Sequence, residues 1–402
     1  MLKYPLKNGL TILFEKRPTK TVAIEIAVKV GSNYEDKKIN GISHFIEHML
    51  FEGTKSRKNS REIANEIEKL GGELNAYTSN ERTAFFAKVL NKHSEKALEI
   101  LSDIIKNPLF DKKSIEKERK VILKEINLVT DEPRFHQWIL FQKTLFKKHP
   151  TKNPTYGSRE AIRKLTKKDL INYYKTYYKP NNIIISIVGN VKEAKDKVNK
   201  YFKDFKKSKI KEIKKFKEPK QTKPIKKVEK KKLLSSYMVL GYKTPKRLEK
   251  DSYALDVIYA ILGRGQSGRL FDEIRNKRGL AYDVGVQYEP AVDYGFFAVH
   301  LNTDKKNIAK IKNIILQEFE KLKKIKNKDV EEAKNYIEGN HTLENEDNFQ
   351  MADRFAFWQM VKDANLTKTY INKIKKVSRK DIIKVVDKYL NKNYTLTVLQ
   401  QK

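Results

Sequence analysis

Two histidines and a glutamate at close spacing, His44, Glu47 and His48, are the residues of this sequence best placed to do chemistry together. Apolar residues recur around them at helical spacing: Ile42, Phe45, Ile46, Met49 and Leu50. This spacing predicts a helix, on which side chains four residues apart project from the same side. Two imidazoles so placed can hold one Zn²⁺ ion, and the glutamate between them can hydrogen-bond a water at the metal without being a ligand.

The alternative is that these are ordinary histidines on a helix, each with an unrelated structural partner. The chain contains only seven histidines in 402 residues. With so few, the order His-x-x-Glu-His arises by chance in fewer than about one chain in fifty. The pattern therefore favours a metal site over an accident of composition.

The composition limits the kind of metal site that is possible. The chain has no cysteine, which excludes disulfides and cysteine-ligated zinc, so any zinc must be bound by histidine and carboxylate. A length of 402 residues predicts two or three domains. No apolar run has the length of a signal peptide or a membrane span, so we expect a cytoplasmic protein without a membrane partner.

The formal net charge of +36 is large. It fits either attraction to an anionic partner such as nucleic acid or a bias of composition toward lysine. The lysines are scattered along predicted helix exteriors rather than gathered in one patch, which favours compositional bias. No zinc-finger, helix-turn-helix or aromatic RNA-binding signature is present, so we do not expect a nucleic-acid partner.

Alternating apolar residues and turn signals predict the strands of the first half. They are a hairpin over 4–14 with its turn at Asn8-Gly9, a strand over 22–30, a strand pair over 73–79 and 82–90, and a strand over 183–188. Helical periodicity predicts helices over 60–70, 93–105 and 113–129, the last capped by Asp111.

The second half of the sequence repeats the first. The run Phe85-Phe86-Ala87 recurs as Phe296-Phe297-Ala298, at an offset of 211 residues, and the run 165–177 recurs as 377–389 at an offset of 212. We therefore predict an α+β fold made of two homologous domains, each with helices packed on a mixed, mainly antiparallel sheet. At this offset His44 corresponds to Leu255, so only the first domain can hold a metal ion.

Between the repeats, residues 205–232 are rich in lysine, contain two prolines and lack periodicity. These features predict a solvated linker that is extended by charge repulsion. The predicted organisation is a zinc-binding catalytic domain over 1–204, the linker over 205–232, and a homologous C-terminal domain over 233–402. Such a linker would let the two domains open and close like a clamshell.

A catalytic zinc ion needs a third protein ligand. The predicted helix over 113–129 offers Glu118 and Glu125, two turns apart on the same stripe as Ile122 and Val129. Two carboxylates on the buried side of a helix are unfavourable unless they are paired or bind a cation. Periodicity alone fits equally well a pair of exposed glutamates on a highly charged helix.

Four runs carry a family resemblance. They are His44-Phe45-Ile46-Glu47-His48 with a glutamate 77 residues later, Gly71-Gly72-Glu73-Leu74-Asn75-Ala76-Tyr77-Thr78, Val121-Ile122-Leu123-Lys124-Glu125-Ile126, and Tyr178-Lys179-Pro180-Asn181-Asn182 before a strand and Gly189. With them the chain resembles, over essentially its whole length, the pitrilysin, insulysin and mitochondrial processing peptidase family of zinc proteases. The resemblance implies that one Zn²⁺ is bound per chain and that Glu125 is the third ligand. It also implies that Glu118 is not a ligand itself but a carboxylate that orients the site.

A second signature of that family lies in the other half of the chain. Arg275 and Tyr282 are seven residues apart, and the resemblance implies that such a pair faces the zinc and stabilises the oxyanion of a tetrahedral intermediate. Taken alone, the run 278–282 is better explained as a turn that leads into a strand, with Tyr282 half buried. Because the chain carries both signatures, we expect a homodimer in which Arg275 and Tyr282 of one chain complete the zinc site of the other.

The predicted reaction is hydrolysis of peptide bonds, with Glu47 as the general base. The resemblance implies that an extended peptide adds as a strand at Asn75 and Ala76, and that unfolded peptides or small extended proteins are the substrates. Two alternatives stay open: a structural or binding member of the same family that does not cleave peptides, and a basic protein that binds an anionic partner.

Overall fold

The computed structural model describes residues 1–211 and 216–402, and within them the chain forms two compact units. The first unit comprises Met1–Leu128, Asn153–Phe216 and Glu344–Thr367. The second comprises Val129–Lys152, Lys217–Leu343 and Lys368–Lys402. Each unit therefore includes a segment from the opposite half of the sequence.

The first unit is built on a six-stranded sheet with the order β1-β2-β6-β3-β5-β4. Its strands are β1 (Leu2–Pro5), β2 (Thr11–Glu15), β3 (Thr21–Val28), β4 (Glu73–Thr78), β5 (Thr83–Leu90) and β6 (Ile183–Gly189). All neighbours pair antiparallel except β2 and β6, which are parallel. The strand β4 lies at the edge of the sheet and, among the described residues, pairs only with β5.

The second unit has a five-stranded sheet with the order β7-β11-β8-β10-β9. Its strands are β7 (Ile225–Lys231), β8 (Ser236–Lys243), β9 (Val284–Pro290), β10 (Gly295–Thr303) and β11 (Thr395–Gln401). Here too one pair, β7 and β11, is parallel and the others are antiparallel. The order matches that of the first sheet without β1, which confirms the prediction of two homologous α+β domains.

The helices follow in chain order. They are α1 (Ile42–Phe51), α2 (Ser60–Glu68), α3 (Ser94–Lys106), α4 (Lys112–Asp131), α5 (Pro133–Leu145), α6 (Arg159–Lys164), α7 (Lys167–Tyr177), α8 (Ala194–Phe202), α9 (Asp251–Gly263), α10 (Arg269–Phe271), α11 (Ile308–Lys321), α12 (Asn327–Glu344), α13 (Asn348–Val361), α14 (Leu366–Lys375) and α15 (Arg379–Tyr389). A π-helical turn over Asp272–Asn276 continues α10. Among the described residues no helix combines the length and the apolar character that crossing a bilayer demands.

The two faces of the first sheet bury different side chains. On one face, large residues such as Ile24 and Phe85 pack against α1, α3, α4, α7 and α8. On the other face the strands present Ala23, Ala27 and Ala84, and the small side chains leave room for α13 to lie directly on β3 and β6. Because strand residues alternate between faces, the sheet separates α1 from α13.

The helices α5 and α13 are exchanged between the two halves of the chain. The helix α13 comes from the C-terminal half and packs in the first unit, whereas α5 comes from the N-terminal half and packs on β8 and β11 of the second. The core between α5 and its sheet includes Phe141, Val239 and Phe296. The predicted ranges 1–204 and 233–402 are contiguous and do not contain this exchange.

Part of the segment predicted as a solvated linker belongs to a sheet. Residues 225–231 form β7, which pairs in parallel register with β11 from Ile225 opposite Thr395 to Lys231 opposite Gln401. The strand is at the edge of its sheet and gains its order from backbone hydrogen bonds, so it needs few apolar side chains. Residues 212–215 of the predicted linker lie outside the described residues.

The helices α7 and α15, which lie in the repeated run, both begin with a capping box. The side chain of Thr166 accepts from the N–H of Asp169, whose carboxylate accepts from the N–H of Thr166, and Ser378 and Asp381 make the same two bonds. The repeated run thus has the same local structure in both units. Asp111 likewise accepts from the N–H of Ser114, as predicted for the start of α4.

We expect Thr166→Ala and Ser378→Ala each to lower the free energy of unfolding by about 1 kcal/mol, because each removes the acceptor for a free N–H at a helix start. Urea denaturation followed by circular dichroism measures this. Lys168→Ala and Lys380→Ala, at exposed positions of the same helices, are the controls and should leave stability nearly unchanged. Cap variants as stable as these controls would contradict the prediction.

Candidate active site

The helix α1 carries both histidines and Glu47, and its start is fixed by a buried carboxylate. Glu35 accepts hydrogen bonds from the backbone N–H groups of Gly41, at 2.6 Å, and Ser43, at 2.9 Å. Gly41 precedes the helix with a φ of 93°, and a Cβ there would lie 2.6 Å from the carbonyl oxygen of Tyr156. Burial raises the pKa of Glu35 to about 7 although these N–H donors act to lower it. The free N–H groups at this end of the helix are thus satisfied by an internal group.

The structure brings His44, His48 and Glu125 together. One ligand atom from each of the three lies within 4.8 Å of the other two. The carboxylate oxygens of Glu125 are 3.7 Å from Nε2 of His44 and 3.8 Å from Nε2 of His48. The two imidazoles meet edge to face, with ring centroids 4.6 Å apart. Two ring nitrogens and one carboxylate that converge from two helices are the donor set of a catalytic zinc site.

Glu118, on α4 like Glu125, orients His48. It is only 7% exposed, and its Oε2 lies 2.9 Å from Nδ1 of His48. That hydrogen bond lowers the pKa of the Glu118 carboxyl, so the carboxylate accepts and Nδ1–H of His48 donates. The Nε2 atom of His48 is then the nitrogen that points to Glu125 with a free lone pair, which is the tautomer that binds a metal ion.

His44 is held in its neutral form. Burial, with a smaller effect of His48, lowers its pKa to about 3. For His48, burial lowers the pKa, but the hydrogen bond to Glu118 and the nearby carboxylates outweigh it and raise the pKa overall. Within residues 1–211 and 216–402, Nδ1 of His44 is buried without a hydrogen-bond partner. Zinc binds neutral imidazoles. His44 is already neutral, and a bound ion would displace the proton that the raised pKa of His48 favours, so the donor set fits the metal.

Glu47 lies beside the three converging residues. Its Oε2 accepts a hydrogen bond from the hydroxyl of Thr78, the last residue of β4. Burial raises the pKa of Glu47, and the carboxylate of Glu125 adds to this, whereas Thr78 and His48 lower it. A carboxylate whose pKa is raised toward neutrality is a stronger base than an exposed one and is suited to accept a proton.

Asn75 and Ala76 lie on β4, at the free edge of the sheet. The side-chain oxygen of Asn75 accepts from the N–H of Ala76 at 2.8 Å. The strand is therefore placed at an edge, as predicted, and one of its N–H groups is satisfied by a local side chain. A peptide that pairs through this N–H must displace the side chain of Asn75.

Arg275 and Tyr282 are brought together in the second unit. Arg275 lies in the π-helical turn over Asp272–Asn276, and its guanidinium carbon is 4.4 Å from the centroid of the Tyr282 ring. Phe271 stacks on the same guanidinium at 4.8 Å. Tyr282 is 76% exposed, so its hydroxyl is available to a ligand. The run 278–282 is a turn that leads toward β9, but Tyr282 is exposed and forms a cation–π pair with Arg275.

Two residues at the site were not assigned a role from the sequence. Thr78 belongs to the run that carries the family resemblance, and strand alternation places it on the same face as Ala76. That alternation was a usable signal for a contact with α1. Glu35 lies in a loop, where no periodicity predicts that a carboxylate folds back onto a helix start.

Comparisons with known proteins agree with this geometry. A sequence model of the insulinase family, peptidase family M16, matches residues 11–159, and a model described as the peptidase M16 inactive domain matches residues 164–337. An uncharacterized zinc protease of Rickettsia bellii is 33% identical over 83% of this chain and 81% of its own. The uncharacterized zinc protease YmxG of Bacillus subtilis is 30% identical over 85% of this chain and 83% of its own.

Solved structures agree as well. A protease from Helicobacter pylori, 27% identical, superposes with a TM-score of 0.94 over 99% of both chains. A protein from Pseudomonas fluorescens described as a peptidase M16 inactive domain, 20% identical, shares the fold with a TM-score of 0.90 over 100% of this chain and 98% of its own. The resemblance predicted from the motifs is thereby confirmed, and the chain belongs to peptidase family M16, the insulinase family.

Proposed function

We propose that this protein is a zinc-dependent endopeptidase that hydrolyses unfolded peptides or small extended proteins. The observation that carries the proposal is the convergence of His44, His48 and Glu125 within 4.8 Å, next to a half-buried Glu47. Three protein ligands leave a coordination position open for water or substrate, which is the arrangement of catalytic rather than structural zinc sites. The family membership and the names of the relatives support the same activity.

When held by His44, His48 and Glu125, Zn²⁺ would acidify a water molecule and polarise the scissile carbonyl. The protein's own residues do the rest. Glu47 accepts the proton that the attacking water loses, holds it during the attack, and donates it to the leaving amine. Thr78 keeps the Glu47 carboxylate in place through its hydrogen bond, and Glu118 keeps His48 in the tautomer that ligates.

The substrate would bind as an additional strand on β4. Main-chain hydrogen bonds to Asn75 and Ala76 hold an extended backbone without requiring a particular side chain. Because a compact folded protein does not offer such a backbone, this mode of binding favours unfolded peptides. The side chain of Asn75 must release the N–H of Ala76 before the peptide can pair there.

Arg275 and Tyr282 are proposed to stabilise the oxyanion of the tetrahedral intermediate. The phenol hydroxyl donates a hydrogen bond, and the guanidinium stacked on the ring adds positive charge. We further propose that the protein is a homodimer in which this pair completes the zinc site of the partner chain. This part of the proposal rests on the family resemblance and on the presence of both signatures in one sequence.

Glu47→Gln tests the mechanism. The variant should bind zinc as the unaltered protein does but cleave a quenched fluorescent peptide at least about a hundredfold more slowly, because the proton acceptor is lost. Metal content is measured by atomic emission, and chelation followed by zinc addition should remove and restore activity of the unaltered protein. Glu52→Gln, at the end of the same helix, is the matched control and should stay active. Undiminished cleavage by Glu47→Gln contradicts the mechanism, and a zinc-loaded but inert unaltered protein indicates a binding member of the family.

Glu118→Ala tests the orientation of His48. We expect the dissociation constant for zinc to rise about 10–100-fold, since the imidazole loses the partner that fixes its tautomer. Glu118→Gln, which keeps an acceptor oxygen, should recover part of the affinity. Glu116→Ala lies on the exposed side of the same helix and serves as the control. Competition with a zinc-binding dye measures all three, and equal affinities would rule out this role of Glu118.

A mixing experiment tests the shared site. Glu47→Gln and Tyr282→Phe should each be strongly impaired alone. If sites are shared between chains, a mixture of the two should regain about a quarter of full activity, because half of the randomly exchanged dimers are mixed and each has one intact site. No recovery after verified subunit exchange, or full activity of a monomer in analytical ultracentrifugation, would overturn the homodimer proposal.

A further inference from the structure

The edge strand β4 is held from both faces of its sheet. On one face, the hydroxyl of Thr78 donates a hydrogen bond to Glu47 of α1. On the other face lies α13, the exchanged helix, and the preceding residue of the strand, Tyr77, packs against it. The two residues are neighbours in sequence, so strand alternation sends their side chains to opposite faces.

Two side chains, those of Tyr77 and Arg82, converge on one carboxylate of α13. Asp353 accepts a hydrogen bond from the Tyr77 hydroxyl and another from Nη2 of Arg82, at 2.6 Å. A second guanidinium nitrogen of Arg82 donates to the backbone carbonyl of Asp353, at 3.3 Å. The guanidinium carbon also lies 5.4 Å from the centroid of the Tyr77 ring. Asp353 thus binds both the end of β4, through Tyr77, and the turn that follows it, through Arg82.

A second carboxyl group, that of Glu25, lies close enough to Asp353 and Arg82 to be affected by their charges. Glu25, on β3, is completely buried, and in the described part of the chain its carboxylate oxygens have no hydrogen-bond partner. Burial and the nearby Asp353 raise the pKa of Glu25 to about 8 against the opposing effect of Arg82. The raised pKa of Glu25 favours its uncharged form near neutral pH.

A partly buried charge pair of this kind contributes little net stability, because the cost of desolvating the ions offsets their attraction. Its specific effect is on geometry, since charged hydrogen bonds are short and directional. The edge strand has a neighbour on one side only, so the cluster supplies a restraint that sheet pairing does not.

From this geometry we infer that Asp353, acting through Tyr77 and Arg82, is a positioning residue that holds β4 where Thr78 can orient Glu47. The inference rests on the proposed function for the role of Glu47. It assigns to a helix of the C-terminal half a part in placing the catalytic base and the strand that would bind the substrate. A shift of about 1 Å in β4 would lengthen the Thr78 contact, and misplacements of that size cost up to about a hundredfold in rate.

Tyr77→Phe is the sharpest test, because it removes one hydroxyl and keeps the ring that packs on α13 and under Arg82. We expect hydrogen exchange in the segment 73–79 to become about tenfold faster, as a hydrogen bond to a charged group is lost. The kcat for peptide cleavage should fall about tenfold or more, with zinc content unchanged. Asp353→Asn, which keeps an acceptor but removes the charge, should do at least as much.

Asn348→Ala is the matched control on the same helix. Its side-chain amide donates to the backbone carbonyl of Thr21 at 2.8 Å and to the hydroxyl of Thr19 at 3.0 Å, so it anchors the start of α13 without touching β4. This variant should lower the melting temperature but leave kcat and the exchange rate of 73–79 unchanged. A role that is only structural would make Tyr77→Phe behave in the same way.

Exchange in 73–79 that is unchanged in Tyr77→Phe would overturn the inference, whatever happens to activity. Faster exchange with unaltered kcat would overturn the link to Glu47. If the unaltered zinc-loaded protein cleaves no peptide, the proposed function fails, and the exchange measurement still decides whether Asp353 holds β4. The two failures are therefore distinguishable.

Discussion

The hydrogen bond between Nδ1 of His48 and the buried carboxylate of Glu118 is the interaction on which the candidate site depends. It joins α1 to α4, so it brings a two-histidine helix to the helix that carries Glu125. It also decides which ring nitrogen of His48 is protonated, and without that choice the three ligand atoms would not form a metal-binding set. This contact thus helps to hold the two helices together and also sets the chemistry of the imidazole.

The same principle recurs around the site, where buried polar groups act in pairs across elements. Glu35 satisfies the free N–H groups at the start of α1, Thr78 supports Glu47 from the edge strand, and Asp353 supports that strand from the far side of the sheet. Each of these groups would be costly to bury alone. Together they restrain the helix, the base and the edge strand, while the apolar packing of the sheet supplies the bulk of the stability.

What could be predicted from the sequence follows from the range of each interaction. His44, Glu47 and His48 lie on one helix, where spacing alone predicts their common side, and the glutamates of α4 follow from the same periodicity. The choice of Glu125 as ligand needed the family resemblance, because periodicity did not separate a metal-bound carboxylate from an exposed one. Thr78 and Asp353 act across long sequence separations, and Glu35 folds back from a loop without periodicity. Strand alternation gives the face of Thr78, but no local pattern identifies the partner residues.

Two features of the fold could not be predicted from the sequence, for related reasons. The range predicted as a linker includes the strand β7. An edge strand that is held by backbone pairing to β11 can be made largely of lysine, so its composition does not distinguish it from a linker. The exchange of α5 and α13 cannot be recognised in the sequence pattern, because an apolar helix face shows that a helix packs on something but not on which sheet. The duplication, in contrast, was visible, since matching runs recur at nearly one offset in both units.

The exchange of α5 and α13 has a consequence for biosynthesis. During translation the N-terminal sheet emerges early, but the helix that covers its alanine-lined face is made only when the ribosome has passed residue 361. Until then an apolar surface stays open to solvent, and the nascent polypeptide cannot complete its first globular body before most of its second has been synthesised. Maturation of the two bodies is therefore concerted, which sets this architecture apart from the domain-by-domain acquisition of structure that is usual for tandem repeats.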